Sequence, residues 1–436
     1  MRMMKKYLIA ALLPMPMLAI AADDTAEETW NLKGQATYIW QRKSPFSAAY
    51  TGPNSLRTQA EKSYSFSGTL FFGYRLAAGT ELYFNPEVVQ SAPMSDLTGL
   101  GGMLNSEQQK ASGPNPTFYR ARLFLRQTWN LGGETTRQES QANQLAGNLS
   151  AQRVVLTVGN YAVTDIFDNN AYAHDGRTQF MNWSLLTHGA YDYAADTRGY
   201  TWGAAMEYYD GDWVYRFGRY LMPIESNGQQ LDTRIFRHFS DQAELEYSYT
   251  LGGQPGKLRL MAFHNRMISG SFRDALAAAG SGTPSVADVR KEQSKYGAGI
   301  NVEQNLTSDI GMFLRTSWND GKTETYSFTE VERSVTVGMS MAGTRWGRAD
   351  DVLGIAGIRN GLSQAHRDYL AAGGTGVFIG DGRLNYRPED IVEAYYNVRV
   401  SKAATLGLDV QKIFHPAYNA DRGPVLVAGA RLHVEF

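Results

Sequence analysis

The chain has 436 residues, no cysteine, and 42 basic against 43 acidic side chains. This excludes disulfides and thiolate metal sites and gives none of the positive charge that nucleic-acid binding needs. It is rich in glycine (44) and tyrosine (25), yet mean hydropathy is −0.36, and past the N-terminus no uncharged apolar run reaches the length of a membrane-spanning helix.

Residues 1–22 carry a basic start (Arg2, Lys5, Lys6), a short apolar stretch broken by Pro14 and Pro16, and the small-x-small signal Ala19-Ile20-Ala21. That pattern predicts a cleaved export signal. Removing its three basic residues leaves 39 basic against 43 acidic, a net charge near −4. The remainder, 23–436, shows no linker and no shift in composition, and is read as one domain.

From there on, apolar residues recur at every second position. In 118–129, Tyr119, Ala121, Leu123, Leu125 and Trp129 share one parity and Arg120, Arg122 and Arg126 the other. Successive strand side chains point to opposite faces, so this is one apolar and one charged face; a helix would scatter the arginines around its circumference. The same alternation sets Ala243, Leu245, Tyr247 and Tyr249 against Gln242, Glu244, Glu246 and Ser248. It also sets Tyr296, Ala298, Ile300 and Val302 against Lys295, Asn301 and Glu303, and Val392, Ala394, Tyr396 and Val398 against Glu393, Tyr395, Asn397 and Arg399.

Sixteen strands are predicted near 30–43, 64–76, 80–90, 118–130, 152–161, 199–209, 212–222, 242–251, 256–268, 295–306, 309–318, 333–342, 351–360, 390–400, 404–414 and 425–436. Pro86 cannot donate to a ladder, so a bulge is expected in its strand. Short links (77–79, 210–211, 252–255, 307–308) alternate with long ones (44–63, 91–117, 162–198, 223–241, 269–294, 361–389). The link 131–151 is long where the alternation calls for a short turn. Strands that end in Leu432, Val434 and Phe436, alternating with Arg431, His433 and Glu435, match what the barrel-assembly machinery of bacteria receives. The fold class expected is all-β: a transmembrane antiparallel up-and-down barrel with short periplasmic turns and long extracellular loops. A soluble sandwich would need no aromatic girdle, and sixteen strands suit a barrel that leaves an aqueous channel.

The loop 162–198 is too aromatic for disorder at its length, and is expected to fold into the barrel and narrow it. Candidate pore-lining residues are Glu81, Asn85, Glu87, Arg120, Arg122 and Arg126 on the wall, with Asp165, Asp168, Asp175 and Arg177 from this loop. Arginine forks and carboxylates can hydrogen-bond sugar hydroxyls, and their mixed signs argue against strong ion selectivity. No cofactor is expected: the Asp/Asn cluster of the loop lacks the EF-hand spacing for calcium, and the seven histidines show no metal-ligand spacing. Nothing points to a catalytic triad, and no enzymatic activity is expected.

Several stretches resemble the carbohydrate-selective porin family (OprB type): GQATYIWQ with SPFSAAYTGPNSL (34–56), GTELYFNPE (79–87), FYRARLFLRQTW (118–129), GNYAVTDIFDNNAYAHDGRTQFMNWSL (159–185), and EAYYNV with LGLDVQKIFHPAYN (393–419). The motif from Asp165 to Asn182 is the most specific; the turn 131–151 and the acidic residues Asp23, Asp24, Glu27 and Glu28 are poorly covered. The resemblance implies a sixteen-stranded outer-membrane channel of a Gram-negative bacterium for passive uptake of mono- and disaccharides, without cofactor. Its partners would be small sugars, outer-membrane lipid and lipopolysaccharide, and the assembly machinery; it would be a monomer or a homotrimer. A general or other-solute-selective porin, or a barrel that binds or exports surface polysaccharide, is the alternative.

Overall fold

The computed structural model describes residues 27–110 and 113–436; the export signal read in 1–22 lies outside the described residues. Sixteen strands pair antiparallel in chain order and close into a barrel. They are β1 (Trp30–Lys43), β2 (Glu61–Ala77), β3 (Thr80–Ala92), β4 (Thr117–Gln138), β5 (Gly147–Tyr161), β6 (Thr201–Asp210), β7 (Trp213–Leu221) and β8 (Phe239–Leu251), then β9 (Gln254–Ser269), β10 (Lys291–Asn305), β11 (Ile310–Asn319), β12 (Arg333–Gly343), β13 (Arg348–Gly361), β14 (Glu389–Arg399), β15 (Ala404–Phe414) and β16 (Val425–Glu435). β1 pairs with β16 from Gln35↔Glu435 to Lys43↔Val427. Closure leaves no sheet edge with unpaired backbone, the condition for strands in hydrocarbon.

The period-two pattern sorts the side chains. On β8, Gln242, Glu244 and Glu246 are buried inside. Leu260, Tyr296, Ile300, Leu314, Val392, Leu408 and Leu432 are outward and exposed. Aromatic residues bound this outward apolar band. Trp30, Tyr74, Trp129, Trp213 and Trp346 lie at the short-turn end of the barrel, and Trp40, Phe118, Trp202 and Trp318 at the long-loop end. Such girdles sit where hydrocarbon meets headgroups.

The terminal Phe436 closes the seam. Its backbone N–H donates to Gly34 O at 3.0 Å and its carbonyl accepts from Gly34 N at 2.9 Å. Its ring lies over Gly34 so closely that a Cβ there would come within 2.4 Å of it, so a side chain at that position would have to push the ring aside.

Two features depart from the sequence reading. The expected bulge at Pro86 is present: Asn85 pairs with Arg122 and Pro86 with Arg120, leaving Ala121 as the extra residue. The bulge breaks the parity that put Arg120 and Arg122 on one face. Arg122 points inward, while Arg120 is exposed, its guanidinium over the exposed Trp202 ring at 5.1 Å.

The link 131–151 is not a loop but an extension of two strands. β3 pairs with β4 only as far as Thr80↔Gln127, whereas β4 and β5 continue together to Gln138↔Gly147, with irregularities at Gly132 and before Thr135. Gly132 and Gly133 have φ of 138° and 83°, conformations that side chains resist and that bend this hairpin. Its tip turns back into the short-turn mouth. Leu145 is buried and its N–H donates to the Tyr83 hydroxyl at 3.1 Å. Asn31 donates to the Gln144 carbonyl at 2.9 Å, Arg75 to the Ala146 carbonyl at 3.0 Å and Arg126 to the Asn143 carbonyl at 3.0 Å.

At the other end, the segments between strands are long, and several are largely buried. Residues 93–110, 162–200, 320–332 and 362–388 pack on one another and on the inner wall, where Met103, Phe167, Trp183, Tyr191, Tyr193, Tyr326, Phe328 and Tyr369 belong to one apolar cluster. Among the described residues this end carries three α-helices: α1 (Trp183–Leu186), α2 (Phe272–Ala279, between β9 and β10) and α3 (Gln364–Ala371). Burying one such aromatic side chain contributes roughly 1.5–3 kcal/mol, so these loops are held as firmly as an ordinary core.

Candidate functional site

Segment 162–200 runs across the barrel interior, and its anchors span the wall. Met181 and Asn182 donate their N–H groups to Glu393 of β14 at 2.5 and 3.1 Å. Arg431 of β16 donates to the Gly176 and Gln179 carbonyls, each at 2.7 Å. Arg315 of β11 donates to the carbonyls of Ala173 and Leu185, each at 2.7 Å.

Asp168 belongs to this anchoring. Fully buried, it accepts from Asn301 at 2.6 Å, from the His188 backbone at 2.6 Å and from Arg315 at 3.1 Å. Its side chain therefore fixes the loop to the wall and does not face a channel, contrary to its place among the pore-lining candidates. His188 lies 3.3 Å from it; burial, with Asp168 opposing and Arg315 adding, lowers that imidazole to about 4.

On one side of the lumen the loop meets β3 and β4. Arg177 donates from Nε to Glu107 at 3.0 Å and from one terminal nitrogen to both Glu107, at 2.9 Å, and Glu87, at 3.0 Å. Lys110 lies 3.2 Å from Glu107. Glu87 also accepts from Thr69 at 2.5 Å, from the Tyr200 hydroxyl at 3.2 Å and from the Tyr119 hydroxyl. Arg122 forms a two-pronged bond to Asp165 at 2.7 and 2.6 Å, with its guanidinium 5.2 Å from the Tyr200 ring centre. Three cations thus face three anions around one tyrosine. Burial raises the Glu107 carboxyl, but the Arg177 and Lys110 charges outweigh it and hold it at about 2. Burial likewise opposes ionisation of Asp165, and Arg122 reverses it, keeping that carboxyl below its ordinary range.

Two cavities meet here. One, of about 270 Å³, is lined by Glu107, Lys110, Arg122, Asp165, Arg177 and Tyr200. The other, of about 310 Å³, opens toward the short-turn end and is lined by Glu81, Arg126, Arg153, Asp165, Tyr209 and Arg216 among others. Asp165 borders both. The Arg122–Asp165 pair therefore stands as a partition between the two cavities.

The other candidates from the sequence divide accordingly. Glu87, Arg122, Asp165 and Arg177 come together in one charged cluster beside Tyr200. Asp175 is exposed beside it, accepting from the Arg177 backbone at 2.9 Å. Asn85 is fully buried in the wall with neither amide atom hydrogen-bonded. Glu81 and Arg126 lie opposite in register, yet Glu81 bonds Tyr83 at 2.6 Å and Arg75 at 3.1 Å, while Arg126 stacks over Tyr83. Arg120 stands apart on the outside. Glu107, Lys110 and Tyr200 are additional site residues; the first two lie in the polar segment 93–116, where no strand periodicity marks them, and their signal is the length of that segment alone. Asp165 and Asp168 are each taken up by arginine, and among the described residues no group of three or more histidines, aspartates or glutamates is placed to hold a metal ion.

Comparison with known proteins places the chain in a wider group. The model of the carbohydrate-selective porin, OprB family, matches residues 54–436. No match was found among curated proteins. Among solved structures, the high-pH structure of Pseudomonas putida OprB superposes with a TM-score of 0.70 at 15% identity, covering 94% of both chains. The low-pH structure of the same protein gives 0.52 at 13% identity, covering 94% of this chain and 93% of that one. At such identity the likeness is one of fold.

Proposed function

From the premise that this chain belongs to the carbohydrate-selective porin family of OprB type and is an outer-membrane porin for sugars, we propose that it passes single sugars and disaccharides by diffusion through the Arg122–Asp165 and Arg177–Glu87–Glu107 constriction. The long-loop rim faces the outside and the short turns the periplasm, the usual placement for such barrels. What carries the reading is the partition itself: paired fixed charges, equal in number, border two chambers. Such a lining offers a neutral polyol donors and acceptors together, and gives neither cations nor anions a one-sided field. Binding there must stay weak, since a tightly held solute would not leave.

Outer-membrane lipid and lipopolysaccharide would surround the apolar band. The β16 strand ending at Phe436 would be what the barrel-assembly machinery reads, and the assembled protein would be a monomer or a homotrimer. No cofactor and no catalytic step enter this reading.

Liposome swelling with the purified protein tests it, comparing glucose, a disaccharide, a larger oligosaccharide and an amino acid of glucose-like size. Faster uptake of glucose than of the amino acid is the expected result. Equal rates would indicate a pore limited by size alone, and absence of swelling would overturn the channel reading.

A further inference from the structure

The chamber on the short-turn side is built from three sources. The wall β2–β7 supplies most of its charges, segment 162–200 supplies a roof with Asp165, Ile166 and Asn169, and the bent hairpin supplies a floor with Gln138, Gln144, Leu145 and Asn148. The wall repeats one arrangement. Glu81 accepts from the Tyr83 hydroxyl at 2.6 Å, and Glu207 accepts from the Tyr209 hydroxyl at 2.8 Å. Each tyrosine face is then covered by an arginine from the neighbouring strand: Arg126 lies 5.1 Å over Tyr83, and Arg153 lies 3.5 Å over Tyr209.

This duplication has a chemical consequence. Tyr83 is fully buried, and the Tyr209 ring has Arg153 at 3.5 Å and Arg216 at 6.0 Å, so a solute here is held through hydrogen bonds more than by stacking on a ring. Donors remain for that purpose: Arg126 spends one terminal nitrogen on the Asn143 carbonyl and Arg153 one on the Ser150 carbonyl, which leaves each guanidinium a second terminal nitrogen. The lining carries four carboxylates (Glu27, Glu81, Asp165, Glu207) and four guanidiniums (Arg75, Arg126, Arg153, Arg216), a balance that favours a neutral ligand. Its volume, about 310 Å³, lies at the lower end for small-molecule sites, which fits one sugar ring and not a chain.

We propose that this chamber is a second solute subsite, in series with the constriction, which holds a single neutral hexose on the paired Glu–Tyr–Arg clusters above the hairpin floor. The subsite rests on the porin reading and adds to it a residence point past the narrowest passage. Without the inward bend of the hairpin the chamber would be an open vestibule.

The test is the fall in ion conductance of single channels in a planar bilayer as glucose is titrated into both chambers, for the wild-type protein, Arg153→Gln and Arg126→Gln, alongside glucose swelling of wild-type liposomes. Expected is a saturable fall in the wild-type protein, with the half-saturating glucose concentration raised at least about threefold in either variant; if one variant does not assemble, the other decides. Wild-type swelling combined with half-saturation unchanged in the variants that assemble would overturn the subsite and leave the porin standing. Wild-type protein that neither swells liposomes nor responds to glucose would remove both.

Discussion

Arg177 neutralises Glu87 and Glu107, two carboxylates with almost no contact with water, so its removal acts on both at once. Arg177→Ala leaves them buried without their main partner, a loss on the order of 3–5 kcal/mol for a broken buried pair. The expected readout is a reversal potential in a KCl gradient shifted toward cation selectivity. Glu107→Gln shifts it the other way, because Arg177, Lys110 and Arg122 then outnumber their anions. Arg122→Ala, which removes one side of the partition, is expected to alter both single-channel conductance and sugar flux; no change in either would take it out of the constriction. His188 gives a pH dependence whose sign follows from its burial. Its imidazole titrates near 4 when the loop is seated and near 6.5 when it is exposed. The exposed form therefore binds the extra proton between those values, and stability is full above pH 6.5 and declines toward pH 4. The loss is about 3 kcal/mol, and the melting temperature in detergent should fall across that window less steeply in His188→Gln.

Strand assignment was legible because one physical rule, alternation between an outer apolar face and an inner polar face, acts on nearly every strand residue. Gln242, Glu244 and Glu246 fall inside as the parity of their strand requires. The rule fails where a residue is added to one strand alone. Pro86 announced the bulge, but nothing in the sequence says which residue of the partner strand is extra, so Arg120 was assigned the face of Arg122. The hairpin was obscured for a related reason: residues 131–146 extend beyond the pairing with β3, lose the two-sided environment, and so lose the alternation. Loop side chains were the least legible. Asp168 and Asp175 have the same chemistry and lie seven residues apart, yet one is an anchor and the other is exposed, a distinction set by how the segment crosses the lumen. Within the hairpin, replacing residues 134–148 with a short turn is expected to raise single-channel conductance, since it removes the floor of the inner chamber.

At the scale of the whole molecule, stability resides in the closed ring of backbone hydrogen bonds, and the seam between β1 and β16 is where that ring is completed. Deleting Phe436 removes its two bonds to Gly34 and the ring that covers Gly34. The expected outcome is a smaller fraction of protein that resists unfolding by SDS without heating, read as a mobility shift on gels. Gly34→Ala should weaken the same seam by forcing the aromatic ring aside.

The equal pairing of fixed charges along the proposed passage has a consequence for the cell. A neutral solute crossing such a passage couples neither to an ion gradient nor to the electrical difference across the outer membrane. Its net movement follows concentration alone and reverses when the gradient does. Continued inward flow therefore depends on whatever on the inner side captures or consumes the solute, and under starvation the same opening would leak what had been gathered.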